Sequence, residues 1–172
     1  MLLKRFLLLV LLTSFAGSIT AQNEEKEAKL KAVFIYNFTK YIDWGPYNHG
    51  NDFIIGVAGN SAVTQYLYDI ANTETIGNKR IVITTITKGL QIEGCDILYI
   101  PEKSRFSLDY LLSNAGPGVL LVSEQPGFAA QGTAFNFVLI NNRLKFEANL
   151  KAISSAGLKA SAQLLKLAII VD

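Results

Sequence analysis

The chain contains few of the residues that build reactive or metal-binding sites. Among its 172 residues there are one cysteine, one histidine, one tryptophan and four prolines. Cys95 alone excludes a disulfide within the chain, and without help from carboxylates one cysteine and one histidine cannot form a zinc site. His49 stands in a polar loop with no acidic pair nearby, which predicts a solvated side chain. We therefore expect no bound metal.

Two sequence motifs that are typical of enzymes are also absent. The turn Gly59-Asn60-Ser61 follows an apolar strand but lacks the closing glycine of a nucleophile elbow. The stretch Gly56-Val57-Ala58-Gly59 lacks the glycine series of a dinucleotide-binding loop, and no Walker lysine follows it. Ser61 is accordingly interpreted as a helix cap. These absences predict a protein that has no catalytic residues and no cofactor.

The N-terminus has the three-part layout of a secretory signal peptide. Lys4 and Arg5 precede an apolar run over residues 6–12, which small and polar residues follow. We assign residues 1–21 to the signal peptide and residues 22–172 to a single exported domain. The apolar run is shorter than the roughly 20 residues that a spanning helix needs, so we expect the mature chain not to insert into the membrane.

Charge argues against nucleic acid as a partner. Cleavage after Ala21, or at the alternative stretch Ala16-Gly17-Ser18, removes two of the 16 basic residues and leaves 14 against 14 acidic ones. The mature chain then has no net formal charge and no basic block. It lacks the positive surface that binding to a phosphate backbone requires, which excludes nucleic acid.

Hydrophobic periodicity predicts an α/β fold. Residues 24–42 form an amphipathic helix whose apolar face carries Leu30, Val33, Phe34, Phe38, Tyr41 and Ile42. Asn37 falls on the same face, where we expect its amide to bond to the backbone of a neighbouring element. Apolar strands at residues 53–58, 80–86, 95–100 and 118–122 alternate with helices at residues 62–71 and 101–112. This alternation indicates a mostly parallel central sheet with helices on both faces.

The pattern changes in the last third of the chain. Strands at residues 134–140 and 143–147 flank Asn141-Asn142, which predicts an antiparallel hairpin at the edge of the sheet. Arg143 begins an alternation of charged and apolar residues, so the second strand should have one solvated face. Residues 148–170 are predicted to form one interrupted or two consecutive C-terminal helices, with Gly157 at the interruption.

Aromatic side chains are concentrated where the first helix ends, at Tyr41, Trp44 and Tyr47. Most aromatic residues at helical spacing belong to a core. Trp44 and Tyr47, however, lie just after the end of the helix, and amphipathic residues at such positions commonly anchor protein partners or small aromatic ligands. Phe128, in a turn-rich loop, fits either a plug on the core or an interface residue. Cys95 lies in a predicted buried strand and is interpreted as a small core residue.

Three stretches carry a family resemblance. They are Lys31-Ala32-Val33-Phe34-Ile35-Tyr36-Asn37-Phe38-Thr39-Lys40-Tyr41-Ile42-Asp43-Trp44, the loop from Gly127-Phe128 through Gly132 into residues 135–138, and residues 142–150 followed by 156–168. In this order they resemble the opening motif, the late glycine-aromatic segment, and the terminal hairpin and helix of the YfiR/HmsC-type periplasmic proteins. Two features depart from that pattern. Gly45 stands between Trp44 and Pro46, and Cys95 alone cannot form the redox-responsive disulfides of the best-known regulatory members.

The resemblance implies a periplasmic α/β domain, often a homodimer, that binds and holds inactive a diguanylate cyclase of the inner membrane and so lowers cyclic di-GMP and biofilm formation. We therefore predict a non-catalytic regulator that binds the extracytoplasmic part of such a cyclase or of another membrane sensor. Tyr41, Trp44, Tyr47 and Phe128 are its predicted contact residues. The alternative is a periplasmic small-molecule-binding module that feeds a sensor, with its ligand held by the carboxyl-end crevice of the sheet and the region of Tyr41 and Trp44.

Overall fold

The structure, a computed structural model, describes residues 2–47, 50–88 and 91–171, with side chains described from residue 22 onward. His49 lies outside the described residues. Helix α1 (Leu2–Tyr41) contains both the predicted signal segment and the predicted amphipathic helix. Within the described ranges, no helix combines the length and the apolar content that crossing a membrane requires.

The remaining elements alternate along the chain. The helices are α2 (Val63–Ala71), α3 (Leu108–Asn114), α4 (Leu150–Ser155) and α5 (Ala162–Leu165), and a 3-10 turn spans Gly45–Tyr47. The strands are β1 (Ile42–Asp43), β2 (Asp52–Val57), β3 (Thr75–Ile76), β4 (Lys79–Thr85), β5 (Ile97–Ile100), β6 (Leu120–Ser123), β7 (Phe135–Ile140), β8 (Arg143–Asn149), β9 (Lys159–Ala160) and β10 (Ile169–Val171).

Eight of these strands form one sheet in the order β10-β8-β7-β6-β5-β2-β4-β3, while β1 and β9 pair separately. The central strands β4, β2, β5, β6 and β7 are all parallel. Strand β3 is antiparallel to β4, and β8 is antiparallel to β7. The prediction of a mostly parallel sheet in an α/β domain is confirmed.

Each face of the sheet has its own core because alternate residues of a strand point to opposite faces. On one face Phe53, Ile55 and Val57 of β2 pack with α1, α2, α4 and α5, and we call this the α1-side core. On the other face Leu98, Leu111 and Leu121 pack around α3, and we call this the α3-side core. Helices therefore cover both faces, as predicted.

The predicted apolar face of the first helix is rotated in the structure. Leu30, Val33 and Tyr41, which we expected to be buried, are exposed. Phe38 and Ile42 are buried as predicted, but the rest of the buried side is formed by Ala28, Ala32 and Ile35, and Lys31 turns partly inward. In the structure Ala28 and Ala32 belong to the core between α1 and the sheet, and Lys31 pairs with Glu124, which directly follows β6. Periodicity alone did not show either effect.

The antiparallel hairpin forms as predicted, but it does not lie at the edge of the sheet. Asn141 and Asn142 adopt positive φ angles of 50° and 60°, as the tight turn requires. Arg143 is exposed and Phe146 is buried, which confirms the alternation along β8. However, β10 adds parallel to β8, so the edge strand is β10.

The predicted second C-terminal helix is present but reduced to the four residues of α5. The first helix is present as α4, and Gly157, with φ of 74°, ends it through N–H bonds from Gly157 to Ser154 and from Leu158 to Ile153. Residues 158–170 then form β9, the four-residue α5 and β10 rather than one helix. Without β10, the outer N–H and C=O groups of β8 would lack partners, and the β-branched residues Ile169, Ile170 and Val171 suit an extended strand.

The start of one helix and the presence of one short strand also differ from prediction. The predicted helix over residues 101–112 begins later, at Leu108, because Ser107 caps it and accepts an N–H from Tyr110 at 3.3 Å. Ser61 accepts the Val63 N–H at 3.2 Å one residue before the N-cap of α2, but the N-cap position itself is Ala62, which makes no side-chain cap bond, so the interpretation of Ser61 as the cap is wrong. Strand β3 was not predicted.

We predict that Phe38→Ala destabilises the fold by about 3 to 5 kcal/mol. Phe38 is fully buried, and its ring centroid lies 4.5 Å from that of Phe135 and 5.1 Å from that of Phe146. The measurement is urea unfolding followed by circular dichroism. Val33→Ala, at an exposed position of the same helix, is the control and should change stability by less than about 0.5 kcal/mol. Equal effects of the two variants would contradict the assigned helix orientation.

Candidate functional site

Trp44 lies beneath the surface at the amino ends of the parallel strands. Its indole is only 5% exposed and stands nearly perpendicular to Phe53, with ring centroids 5.2 Å apart. The indole Nε1 donates to the carbonyl of Asp96, 3.3 Å away, directly before β5. The same carbonyl accepts the Leu120 N–H at 2.9 Å. Trp44 is thus a buried residue whose contacts with Phe53 and Asp96 stabilise the region under the surface.

The Asp96 side chain strengthens this junction. One carboxylate oxygen accepts the Ile54 N–H at 2.7 Å, so Asp96 joins the starts of β2, β5 and β6. Burial raises the pKa of Asp96 above its usual range, and the Ile54 N–H offsets part of that rise. The group has a structural role here because its contacts hold three strands in register.

Tyr47 packs across two glycines from distant parts of the chain. A Cβ on Gly118 would overlap the Cβ of Tyr47, and a Cβ on Gly157 would lie 2.6 Å from its Cε2. Both glycines have positive φ angles, which other residues adopt only at a cost. Gly118 also donates its N–H to Ala156 at 2.7 Å. The ring of Tyr47 nevertheless remains 44% exposed.

Tyr41 lies at the same end of the molecule. It is 36% exposed, and its carbonyl accepts the Ser161 N–H at 2.9 Å. A shallow cavity of about 290 Å³ beside it is lined by Lys40, Tyr41, Ile42, Asp43, Lys159, Ala160 and Ser161. We call the exposed residues Tyr41, Tyr47, Lys40 and Lys159 the amino-end surface. Three of the four predicted contact residues therefore come together at this end, with Trp44 below the surface.

Phe128 lies apart from the other three predicted contact residues. It follows β6 beyond the carboxyl end of that strand, in the connection to β7. Its half-buried ring packs against the α3-side core, and its carbonyl accepts the Thr133 N–H at 3.0 Å. This packing agrees with a plug on the core.

The residues predicted to be structural have different environments. Asn37 is half-buried in α1, and its amide makes no hydrogen bond to any residue in the described ranges, so the predicted bond to a neighbouring backbone is not found. The rotation of α1 explains this, since it moves Asn37 toward solvent. Arg143 is exposed at the start of β8, and Gly157 ends α4.

A charged cluster that the sequence pattern did not predict lies at the opposite, carboxyl ends of the strands. Lys31 lies 2.6 Å from Glu27 and also pairs with Glu124, and the side chains of Lys31 and Glu124 are only 13% and 12% exposed. Burial alone would lower the pKa of Lys31, but the hydrogen bonds to Glu124 and Glu27 outweigh it and raise the pKa. Glu124 also accepts the Glu102 N–H at 2.8 Å.

A separate chain of hydrogen-bonded polar groups, largely buried, runs across β6, β7 and β8. Ser123 donates to Asn136 at 2.7 Å, and Asn136 in turn donates to Glu147 at 3.0 Å. The available sequence signal was a pair of polar residues, Ser123 and Asn136, inside otherwise apolar strands. This network and the charged cluster place the polar chemistry of the carboxyl end far from Trp44. The predicted ligand site, which joined the carboxyl-end crevice to the region of Tyr41 and Trp44, is therefore not one site.

Cys95 is a buried core residue, as expected. Its Sγ donates to the carbonyl of Gln91 at 3.3 Å, and it packs so closely on Gly56 that a Cβ there would lie 2.6 Å from Sγ. Burial, together with the negative charge of Asp96, raises the pKa of the Cys95 thiol to about 11. The thiol is thus poorly reactive at neutral pH.

Comparisons with known proteins agree with this architecture. The sequence profile of the family described as YfiR/HmsC-like matches residues 28–169. A crystal structure of a "conserved domain protein" from Vibrio cholerae O1 biovar El Tor strain N16961 has a similar fold, with a TM-score of 0.57 and 11% sequence identity. The match covers 84% of this chain, which spans 60% of the length of that protein.

We predict that Gly118→Ala destabilises the protein considerably more than Gly77→Ala. Both glycines have positive φ, so each alanine should cost about 1 to 2 kcal/mol for backbone strain. A Cβ on Gly77 meets no atom within 4 Å, whereas one on Gly118 collides with the Cβ of Tyr47, which ring rotation cannot move. Thermal unfolding of both variants measures the difference. Equal losses would show that Tyr47 does not pack as described.

We predict that alkaline pH destabilises the wild type more than Cys95→Ala. The thiol has a model-compound pKa of 9.0 when unfolded and about 11 when folded, so the unfolded chain loses this proton first as pH rises. The thiol's contribution is complete below about pH 9 and is lost by about pH 11, which amounts to roughly 2 to 3 kcal/mol. Urea unfolding of both proteins at these two pH values tests this. Parallel pH profiles would contradict it.

Proposed function

Because the chain belongs to the YfiR/HmsC-like family, we propose that it binds the extracytoplasmic part of a membrane signalling protein and represses it. The proposed partner is a diguanylate cyclase of the inner membrane. Export to the periplasm by a signal peptide over residues 1–21, cleaved before the domain of residues 22–172, is part of this proposal. Since the partner carries out the reaction, this chain needs no catalytic group.

The family match over residues 28–169 is the observation that carries the proposal. The amino-end surface supplies a contact area for it. Tyr41 and Tyr47 are large amphipathic side chains, and both are more than one-third exposed. Tyrosine is common at the centres of interfaces because its ring buries a large area and its hydroxyl still forms a hydrogen bond.

The rigid support of this surface favours its use in binding. Tyr47 is fixed on Gly118 and Gly157, and Trp44 is fixed between Phe53 and Asp96. A surface already held in its bound shape loses little conformational entropy on association. In this proposal Tyr41 and Tyr47 touch the partner, and Trp44 is a positioning residue. Phe128, at the other end of the sheet, belongs to a separate and secondary contact.

The partner can be captured in cells with a photoreactive amino acid at position 41. Positions 68 and 110 are matched controls, because Tyr68 in α2 and Tyr110 in α3 are exposed to 44% and 40%. The proposal expects position 41 to capture a membrane protein with a cyclase domain, identified by mass spectrometry, in excess of both controls. Capture of no membrane signalling protein above the controls would overturn it. Capture of the chain itself alone would indicate a homodimer in place of the regulatory complex.

We predict that Tyr41→Ala lowers affinity for the captured partner by about tenfold or more, since a central tyrosine typically contributes 2 kcal/mol or more. Tyr68→Ala should leave the affinity unchanged. Binding of both variants to the purified extracytoplasmic domain can be measured by surface plasmon resonance. If the two variants bind equally well, the amino-end surface is not the contact area.

A further inference from the structure

A groove crosses the carboxyl ends of the central strands beneath the start of the exported part of α1. It consists of two adjoining clefts of about 420 and 460 Å³. Both clefts are lined by Glu27, Lys31, Glu102, Glu124 and Leu139, and we call the whole the carboxyl-end groove. These volumes lie in the range of small-molecule sites.

The groove coincides with the switch point of the sheet. Strands β2 and β5 are adjacent and parallel, but the helix after β2 packs on the α1-side core and the helix after β5 packs on the α3-side core. In open α/β sheets, ligands bind where two such connections diverge. The two loops are held together here, since Ser104 donates to the Ala58 carbonyl at 2.7 Å and Gly59 bridges to Ser104. The base of the groove is therefore fixed.

The charges of the groove favour a cation. The cleft nearer the hairpin is lined by four carboxylates, those of Glu27, Glu102, Glu124 and Glu147, against the single ammonium of Lys31. Lys31 is already paired with two of these carboxylates and is not available to an anion. An excess of carboxylates in a partly enclosed cleft concentrates cations.

The opposite wall of the same cleft is apolar. It is formed by Phe137, Leu139 and Leu144 from the β7 and β8 hairpin, together with Pro126. Leu139 is one of the most exposed apolar side chains in the described part of the protein. A ligand that combines a positive group with a hydrocarbon portion would match both walls.

A buried hydroxyl beneath the groove provides a separate indication. Tyr99, in β5, is fully buried, and its hydroxyl is the one buried side-chain polar atom without a hydrogen-bond partner in the described ranges. Burial and the nearby Glu124 carboxylate raise its pKa, and Ser61, also near the hydroxyl, lines the groove. An unpaired buried hydroxyl typically costs about 1 to 3 kcal/mol. The groups next to this hydroxyl, Glu124 and Ser61, both line the groove, so the hydroxyl adds to the polar character of its base.

We propose that the carboxyl-end groove binds a small organic cation. Its ammonium or guanidinium group is held by Glu102, Glu124 and Glu147, and its apolar portion lies against Phe137, Leu139 and Leu144. The site stands independently of the proposed function, because it is at the opposite end of the sheet from the amino-end surface.

The test uses the purified protein and isothermal titration with three probes: 2-phenylethylammonium, 1,4-diaminobutane and agmatine. The uncharged analogue 2-phenylethanol is the control for the charge. We expect saturable binding of at least one cation, at least tenfold tighter than the alcohol, and weaker in high salt. Amide shifts in nuclear magnetic resonance spectra should be confined to the loops after β2, β5 and β6, to the hairpin and to the part of α1 around Glu27 and Lys31. No binding of any probe at millimolar concentration, or equal binding of the alcohol, would overturn the proposal.

Two substitutions locate the site. Glu102→Gln removes an exposed charge and keeps the backbone N–H that Glu124 accepts, so the fold is retained. Glu124→Gln removes the central carboxylate. We expect each to lower the cation affinity about tenfold, whereas Glu93→Gln, at an exposed position before Cys95, should have no effect. Unchanged affinity in Glu102→Gln and Glu124→Gln would place any binding elsewhere.

Discussion

The inward turn of Lys31 determines how the first helix lies on the sheet. Lys31 pairs with Glu27 one helical turn before it and with Glu124, which is 93 residues later and follows β6. Both members of the long-range pair are mostly removed from water, and loss of one partner of such a pair typically costs about 3 to 5 kcal/mol. Because α1 leads directly into β1 and Trp44, its orientation on the sheet also affects how Trp44 is placed against Phe53.

The helix separates two surfaces of different chemistry. Lys31 stands at the carboxyl ends of the strands and Tyr41 at their amino ends, about 15 Å further along the helix axis. One surface is acidic and concave, and the other is aromatic with flanking lysines. Between them lies the aromatic core around Phe38. Binding at one surface could affect binding at the other only through α1 or the sheet, which connect them. Such coupling would require α1 or the sheet to adopt two alternative conformations.

Elements of the fold that are determined by neighbouring residues could be predicted from the sequence. The apolar strands, the turn at Asn141 and Asn142, and the end of α4 at Gly157 follow from residue type and were predicted. The orientation of α1 was not, because the partner of Lys31 is distant in the sequence. Nor was β10, because residues 158–170 have helical spacing, and the strand Ile169–Val171 forms only next to the open edge of β8. In the candidate site, the aromatic residues were visible as a cluster, but the burial of Trp44 depends on Phe53 and Asp96.

The position of Trp44 gives the protein an intrinsic optical reporter. It is the one tryptophan of the chain, and its indole lies in an apolar site with its N–H bonded to a backbone carbonyl. Its fluorescence emission therefore comes from a single environment, at the junction of α1 with β2 and β5. A binding event at the amino-end surface would change that emission directly, whereas one in the distant carboxyl-end groove would leave it nearly constant. The two ends can thus be followed separately without attaching a label.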